Sequence, residues 1–207
     1  VYKNIIVPDN IIEVLKNTDK LSGVNSYFWE KESAAFDTLK RYIVKGNDLQ
    51  MNDKAFKNEL KSWMRFNKGQ SDSKKDGLSY AVFGAPNLPA FISKPIISSF
   101  LNGKKQNKGD IKKIESSSHF VLLTTKENTI PQWINMGRSL QRLLLTATQE
   151  NIAVAHMNQP CEIKELAAKM QKSLPINGEY PMILLRIGYA DAAPYSKRKN
   201  IEDVIIK

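Results

Sequence analysis

The feature that most constrains this chain is the stretch 131–151. Trp133, Leu140, Leu144 and Ala147 recur there at helical spacing, and Leu143 and Leu145 widen the apolar face they form. This spacing predicts a long helix that is central and buried on more than one side. Any fold open to the chain has to be organised around it.

The flanking pattern is mixed. Residues 8–17 read as a helix, with proline near the start, Asp9 and Glu13 near the positive end of its dipole, and Ile11, Ile12 and Leu15 as an apolar stripe. Residues 24–29 read as an aromatic-rich strand. A helix is expected over 32–44, stopped by Gly46 and Asn47. Another is expected over 53–64, capped by Asp53, with Phe56, Leu60 and Trp63 at spacings of four and three. The polar stretch 67–77 ends in an Asp76-Gly77 turn and reads as surface loop, and 102–113 reads as a solvated basic loop. Between them, prolines 86, 89 and 95 punctuate an apolar segment over 84–101 that reads as a packed loop, a short helix or a lid. Residues 119–125 and 181–189 read as strands, 152–157 as a short extended run, 162–172 as a helix, and the tail 200–207 as a strand or an arm. No regular βαβ alternation appears, so the expected class is α+β, with 1–207 as a single domain.

Composition narrows the function classes. A hydrophobic fraction of 42% and a charged fraction of 25% belong to a folded globular chain. No apolar stretch approaches the ~20 residues of a membrane helix, so no membrane partner is expected. The single cysteine, Cys161, excludes an internal disulfide and cysteine-rich zinc sites, and with only His119 and His156 beside it no metal site is expected. A reducing, cytoplasmic setting is compatible, and export of a longer protein stays open. The formal charge of +10 fits either an anionic partner or a lysine-rich surface. The phosphate-binding loop, dinucleotide fingerprint, zinc-protease and serine-hydrolase motifs are all absent, so motif chemistry assigns no catalytic residue. Cys161 is expected to cap or pack near a helix start.

The order of several segments carries a resemblance. Trp133-Ile-Asn-Met-Gly137-Arg-Ser-Leu140-Gln141 and the residues after it resemble the central helix of the nitroreductase family, and more narrowly its tandem-module, Acg-like group. The Gln159-Pro160 step, the strand ending Arg186-Ile-Gly188-Tyr189 and the basic tail around Arg198-Lys199 are similar to that group. So are Glu59-Leu60-Lys-Ser-Trp63, Asp76-Gly77 and Val7-Pro8-Asp9. The resemblance implies an α+β nitroreductase-like fold, with a mainly antiparallel central sheet wrapped by helices. It also implies FMN held between two modules and reduced by NAD(P)H, and a nitro- or quinone-type small-molecule acceptor. The chain would be the C-terminal module of a longer protein, and its partner a second nitroreductase module, either in a homodimer or as an N-terminal half.

The same resemblance puts Arg198 and Lys199 at the flavin phosphate, where charge-assisted donors are needed. It puts His156, Met157 and Asn158 beside the isoalloxazine ring. Arg186 is expected to be structural or near the site. The arginine-rich motif that opens the family is not seen here, since no arginine precedes Arg41. These residues alone are therefore expected to bind FMN weakly or not at all. Two other readings stay open: a flavin-storing protein without turnover, with 84–95 as a lid that shuts out nicotinamide, and a basic nucleic-acid binder, which no aromatic-rich RNA motif supports.

Overall fold

The computed structural model describes residues 1–18, 21–83, 85–99, 101–192 and 198–205, with the side chain of Phe83 left aside. Gly84 of the proline-punctuated segment, Lys197 of the basic run and Lys207 of the tail lie outside the described residues. In chain order the elements are α1 (Asp9–Lys16), β1 (Val24–Glu30), α2 (Ala34–Asn52), α3 (Lys54–Trp63), β2 (Met64–Arg65), α4 (Lys68–Lys74), β3 (Leu78–Ser79), α5 (Ala90–Ser98), α6 (Gly103–Glu115) and β4 (His119–Thr125). They continue with α7 (Ile130–Gln149), β5 (Ala153–His156), α8 (Gln159–Glu162), α9 (Lys164–Ser173) and β6 (Tyr180–Gly188). Short 3-10 turns occupy Tyr80–Phe83 and Ile201–Asp203, so the described part of the tail is a turn rather than a strand. The chain sorts into two compact units, one of residues 1–47 and 107–191, the other of 48–106 and 192–207.

The first unit is built on an antiparallel sheet of order β1-β4-β6-β5. Every residue of β4 is buried. The period-2 geometry of a strand sends its side chains to two faces, and both faces are covered. Phe120 and Leu122 join Phe36, Leu39, Ile43, Ile114, Met170 and Leu184 in one apolar cluster. Val121 and Leu123 join Ile12, Leu15, Leu143, Ala147 and Leu185 in another. Helices α2 and α9 thus cover one side of the sheet, and α1 and α7 the other.

Three expectations are corrected here. Helix α2 does not stop at Gly46 and Asn47 but runs on to Asn52. Asn47 is 1% exposed and its amide donates to Asp110 Oδ2 and Asn107 Oδ1, both at 3.0 Å, so the residue that reads as a helix stop is held inside by tertiary hydrogen bonds. Gly46 lies within the helix, and its missing side chain lets residues 159–160 pack against it: a Cβ there would lie 2.9 Å from Gln159 Cβ and 3.3 Å from Pro160 N. The basic stretch 102–113 is helix α6, with Asp110 and Ile114 buried; its lysines are solvated, but it has an inner face. The polar stretch 67–77 contains α4, capped by Asn67, whose side chain accepts from Gln70 N, and ended by Lys75 in the left-handed region.

Helix α7 forms as expected, yet within the chain it is buried on one side only. Ser139, Leu143 and Ala147, four residues apart, face inward. Ile130, Ile134 and Leu145 are 64%, 58% and 61% exposed.

In the second unit, Met64, Phe66 and Ile97 form a small core with Leu60, Tyr80, Ala90 and Leu101 around it. Asp53 caps α3 as expected, accepting from Ala55 N and Phe56 N. The Asp76-Gly77 turn is held by Arg65, whose Nε and Nη2 both bond Asp76 Oδ1 at 2.9 and 2.6 Å. The proline-punctuated segment contains α5, which buries Ser93 and Ile97 and leaves Phe91 79% exposed.

Two measurements check this packing. Helix propensity alone favours Gly→Ala by ~1 kcal/mol. Gly109→Ala, with open space around its Cβ, should gain about that amount in urea denaturation, whereas Gly46→Ala should lose ~1–3 kcal/mol to overpacking. The second concerns His119, whose pKa burial lowers against the raising effect of Glu30 and Asp9. A native state that prefers the neutral ring is stabilised above the ordinary histidine range and loses that contribution as pH falls below it. The urea midpoint should therefore drop between about pH 7 and about pH 5, with a shallower drop in His119→Gln.

Candidate functional site

Strand β5 runs antiparallel to β6, with Ala155 opposite Arg186 and His156 opposite Leu185. The chain then leaves the sheet through Met157 and Asn158 into α8. The exit is tightly fixed: Met157 N donates to the Leu184 carbonyl at 2.9 Å, and Leu184 N donates to Asn158 Oδ1 at 3.0 Å. Asn158 thereby finishes the ladder that β5 can no longer supply, and its amide also donates to Glu162 Oε1 at 3.3 Å. The Met157 side chain is 3% exposed and belongs to the core beside Phe120 and Leu184. The His156 side chain is exposed and has no hydrogen-bond partner among the described residues. The three expected ring neighbours are therefore adjacent, and of their side chains only the imidazole is uncommitted.

The next turn is anchored from beneath. Gln159 Nε2 donates to Asp110 Oδ2 at 3.3 Å, while its Oε1 is buried with no hydrogen-bond partner among the described residues. Asp110 is 2% exposed and also takes Asn47 and Lys113, which bonds its Oδ1 at 2.9 Å. This polar network was not anticipated. Its members are far apart in sequence, and the only local hint was an aspartate at a helical position inside a lysine-rich stretch.

Arg186 points away from solvent. Its guanidinium lies 4.0 Å from the ring centroid of Tyr2, and the Tyr2 hydroxyl donates to the Arg186 carbonyl at 3.1 Å. Burial lowers its pKa, and Tyr2 and Asp110 act in the opposite sense. Its Nε has no partner among the described residues. The arrangement is a structural clamp on the chain's first residues, tightened by Gly188, where a Cβ would come within 2.7 Å of Tyr2 Cδ2.

A second buried carboxylate also escaped sequence reasoning. Glu179 accepts from Asn25 Nδ2, from the Tyr27 hydroxyl at 3.1 Å and from Thr124 Oγ1, tying β1 and β4 to the start of β6. All three donors are neutral, so the group reads as a fastener of the sheet.

Arg198 and Lys199 belong to the second unit. Arg198 is exposed and without a partner among the described residues. Lys199 Nζ lies 3.7 Å from Asp76 Oδ2, so it shares that carboxylate with Arg65. The Asp76 carboxyl is held below its ordinary range, first by the Arg65 hydrogen bonds and then, less strongly, by Lys199.

Cys161 sits in α8 and packs against the core of the first unit, as expected of a cysteine near a helix start. Burial raises its thiol well above the usual range, and the Glu162 carboxylate adds to the shift. A thiol shifted in this direction offers little thiolate for a nucleophilic reaction at neutral pH. Among the described residues no group of three or more His, Cys, Asp and Glu is placed to hold a metal ion, and no helix is long and apolar enough to cross a membrane.

No family model matches the chain. Two chains of Mycobacterium tuberculosis, from strains H37Rv and CDC 1551, are each 22% identical to it over 183 residues; both are provisionally named NAD(P)H nitroreductases. The match covers 84% of this chain and 50% of theirs, so the chain spans about half the length of these curated relatives. Among solved structures, an FMN-dependent nitroreductase from Mycobacterium smegmatis in complex with NADPH aligns at a TM-score of 0.60 and 14% identity, covering 100% of this chain and 91% of that one. An iodotyrosine deiodinase bound to FMN and 3-iodo-L-tyrosine aligns at 0.59 and 13%, covering 100% and 91%. A nitroreductase with bound FMN from Desulfitobacterium hafniense aligns at 0.54 and 10%, covering 100% and 90%. The fold is thus the α+β nitroreductase-like fold, with a central antiparallel sheet surrounded by helices.

The thiol environment has a direct check. Iodoacetamide at neutral pH should leave Cys161 of the native chain essentially unmodified over hours, and label it fully in denaturant. Rapid native labelling, followed by mass spectrometry, would contradict the raised thiol described here.

Proposed function

We propose that the chain is an FMN-binding, nitroreductase-type oxidoreductase module of the tandem-module group. It would pass electrons from NAD(P)H through flavin to a nitro- or quinone-type acceptor. The observation that carries this reading is the fold likeness, which extends over the whole chain to an FMN-dependent enzyme and to two proteins solved with bound FMN. The chain's span of half its curated relatives supports its reading as one module of two.

The residues present supply part of what FMN needs. Arg198 is an exposed guanidinium that suits a phosphate, and His156 an exposed imidazole that suits a polar ring edge, both without a partner among the described residues. Met157, Asn158 and Lys199 already serve other partners, so their contribution would come through backbone or through exchange. Bound flavin supplies the two-electron chemistry. The chain's own contribution is to hold and orient it, with the β5–α8 exit kept rigid by the Asn158 and Gln159 hydrogen bonds.

The exposed stripe on α7 supports a second module as partner. Ile130, Ile134 and Leu145 lie along one side of the helix. Gly137, between them, has open space where a Cβ would stand, so another backbone can come close.

The test is spectroscopic. Chain equilibrated with its partner module and excess FMN, then separated from free flavin, should be yellow, and anaerobic NADPH should bleach the flavin band. Persistent yellow would favour storage without turnover, and a colourless chain in the presence of its partner module would overturn both readings. Arg198→Ala should weaken FMN affinity about tenfold with an unchanged circular dichroism spectrum.

A further inference from the structure

The first unit holds a cleft of about 370 Å³ between α8, α9 and the start of β6. Its volume falls in the range of small-molecule sites, roughly 300–1,000 Å³. The walls are mostly apolar: Ala167, Ala168, Pro181 and Met182 line it, and the two alanines leave the space open.

Two charged groups of this cleft are brought to it by one backbone feature; Asn128, Gln171 and Tyr180 add polar atoms from elsewhere in the unit. Glu162 ends α8 and Lys164 begins α9, and Ile163 between them is extended, with φ −101° and ψ 107°. In a continuous helix, residues two apart point to different sides. Across an extended residue they point to the same side, and both Glu162 and Lys164 line the cleft. The helix break therefore brings a carboxylate and an ammonium to the same, mostly apolar cleft. Asn158 donates to one oxygen of Glu162 and helps to fix it; Glu162 has a further partner besides, and the two oxygens of a carboxylate together offer about four acceptor sites. The Lys164 ammonium and the Tyr180 hydroxyl, which also lines the cleft, have no partner among the described residues.

We propose that this cleft binds a small zwitterion with an apolar body, of the class of the apolar α-amino acids. The carboxylate meets Lys164 and the Tyr180 hydroxyl, the ammonium meets Glu162, and the side chain lies on the alanine, proline and methionine wall. Flavin takes no part in this site, so the inference stands or falls independently of the proposed oxidoreductase activity.

The test is a titration of the 207-residue chain with L-phenylalanine, read by 15N-edited NMR and calorimetry, without added flavin. Saturable shifts in residues around the α8–α9 break are expected. N-acetylphenylalanine and phenylalanine amide, each lacking one charge, should bind about tenfold more weakly or worse. Lys164→Met and Tyr180→Phe should each lower phenylalanine affinity by a similar factor, and Ala168→Leu should abolish binding by filling the cleft. All three positions are exposed, so the variants should fold, which their amide spectra would check. No saturable response at millimolar phenylalanine would overturn the proposal. So would equal binding of the uncharged-end analogues, or binding that survives Ala168→Leu.

Discussion

The burial of β4 is the constraint on which the rest of the first unit depends. A strand with no solvated face must have every backbone donor and acceptor paired and both side-chain faces covered. Its antiparallel neighbours β1 and β6 supply the pairing, and helices on each side supply the cover. The polar residues at its ends are drawn in on the same terms. Thr124 reaches the Glu179 carboxylate, and the His119 ring meets the Ser118 hydroxyl at 2.7 Å. Because Ser118 also accepts from Val7 N, the N-terminal segment is tied to the same strand.

This also explains what could be read from the sequence. The apolar run 120–123 and the periodic stretch that became α7 are local patterns, and a strand or helix follows from each directly. The α+β class followed from their order. The extent of α2 and the existence of α6 did not. Asn47 is a poor helix former by itself, and it becomes a good one only when Asp110 and Asn107 accept its amide. Asp110 in turn sits in a stretch whose lysines advertise solvent. Each half of that pair conceals the other, because the stabilising contact spans about sixty residues of chain. The expected second buried side of α7 is instead exposed apolar surface, a pattern that in one chain looks the same whether chain or partner covers it.

The candidate site was legible to a lesser degree. Its position at the end of β5 could be placed by motif order, since a strand followed by Gln159-Pro160 leaves the sheet there. Which side chains remained uncommitted depended on the neighbouring strand: Leu184 claims Asn158, and the core claims Met157. Only the three-dimensional register separates His156, which faces solvent, from its two successors.

Asp76 gives the basic tail a chemical character that a charge count misses. Its carboxylate serves Arg65 and Lys199 together. An anion arriving at Lys199 would displace a carboxylate already in place, so binding there is an exchange of one anion for another. Arg198, one residue earlier, has no such competitor among the described residues. Two neighbouring cations would then answer differently to ionic strength: the guanidinium would lose affinity for an incoming phosphate as salt rises. The lysine would change less, because salt weakens its resident partner along with its visitor.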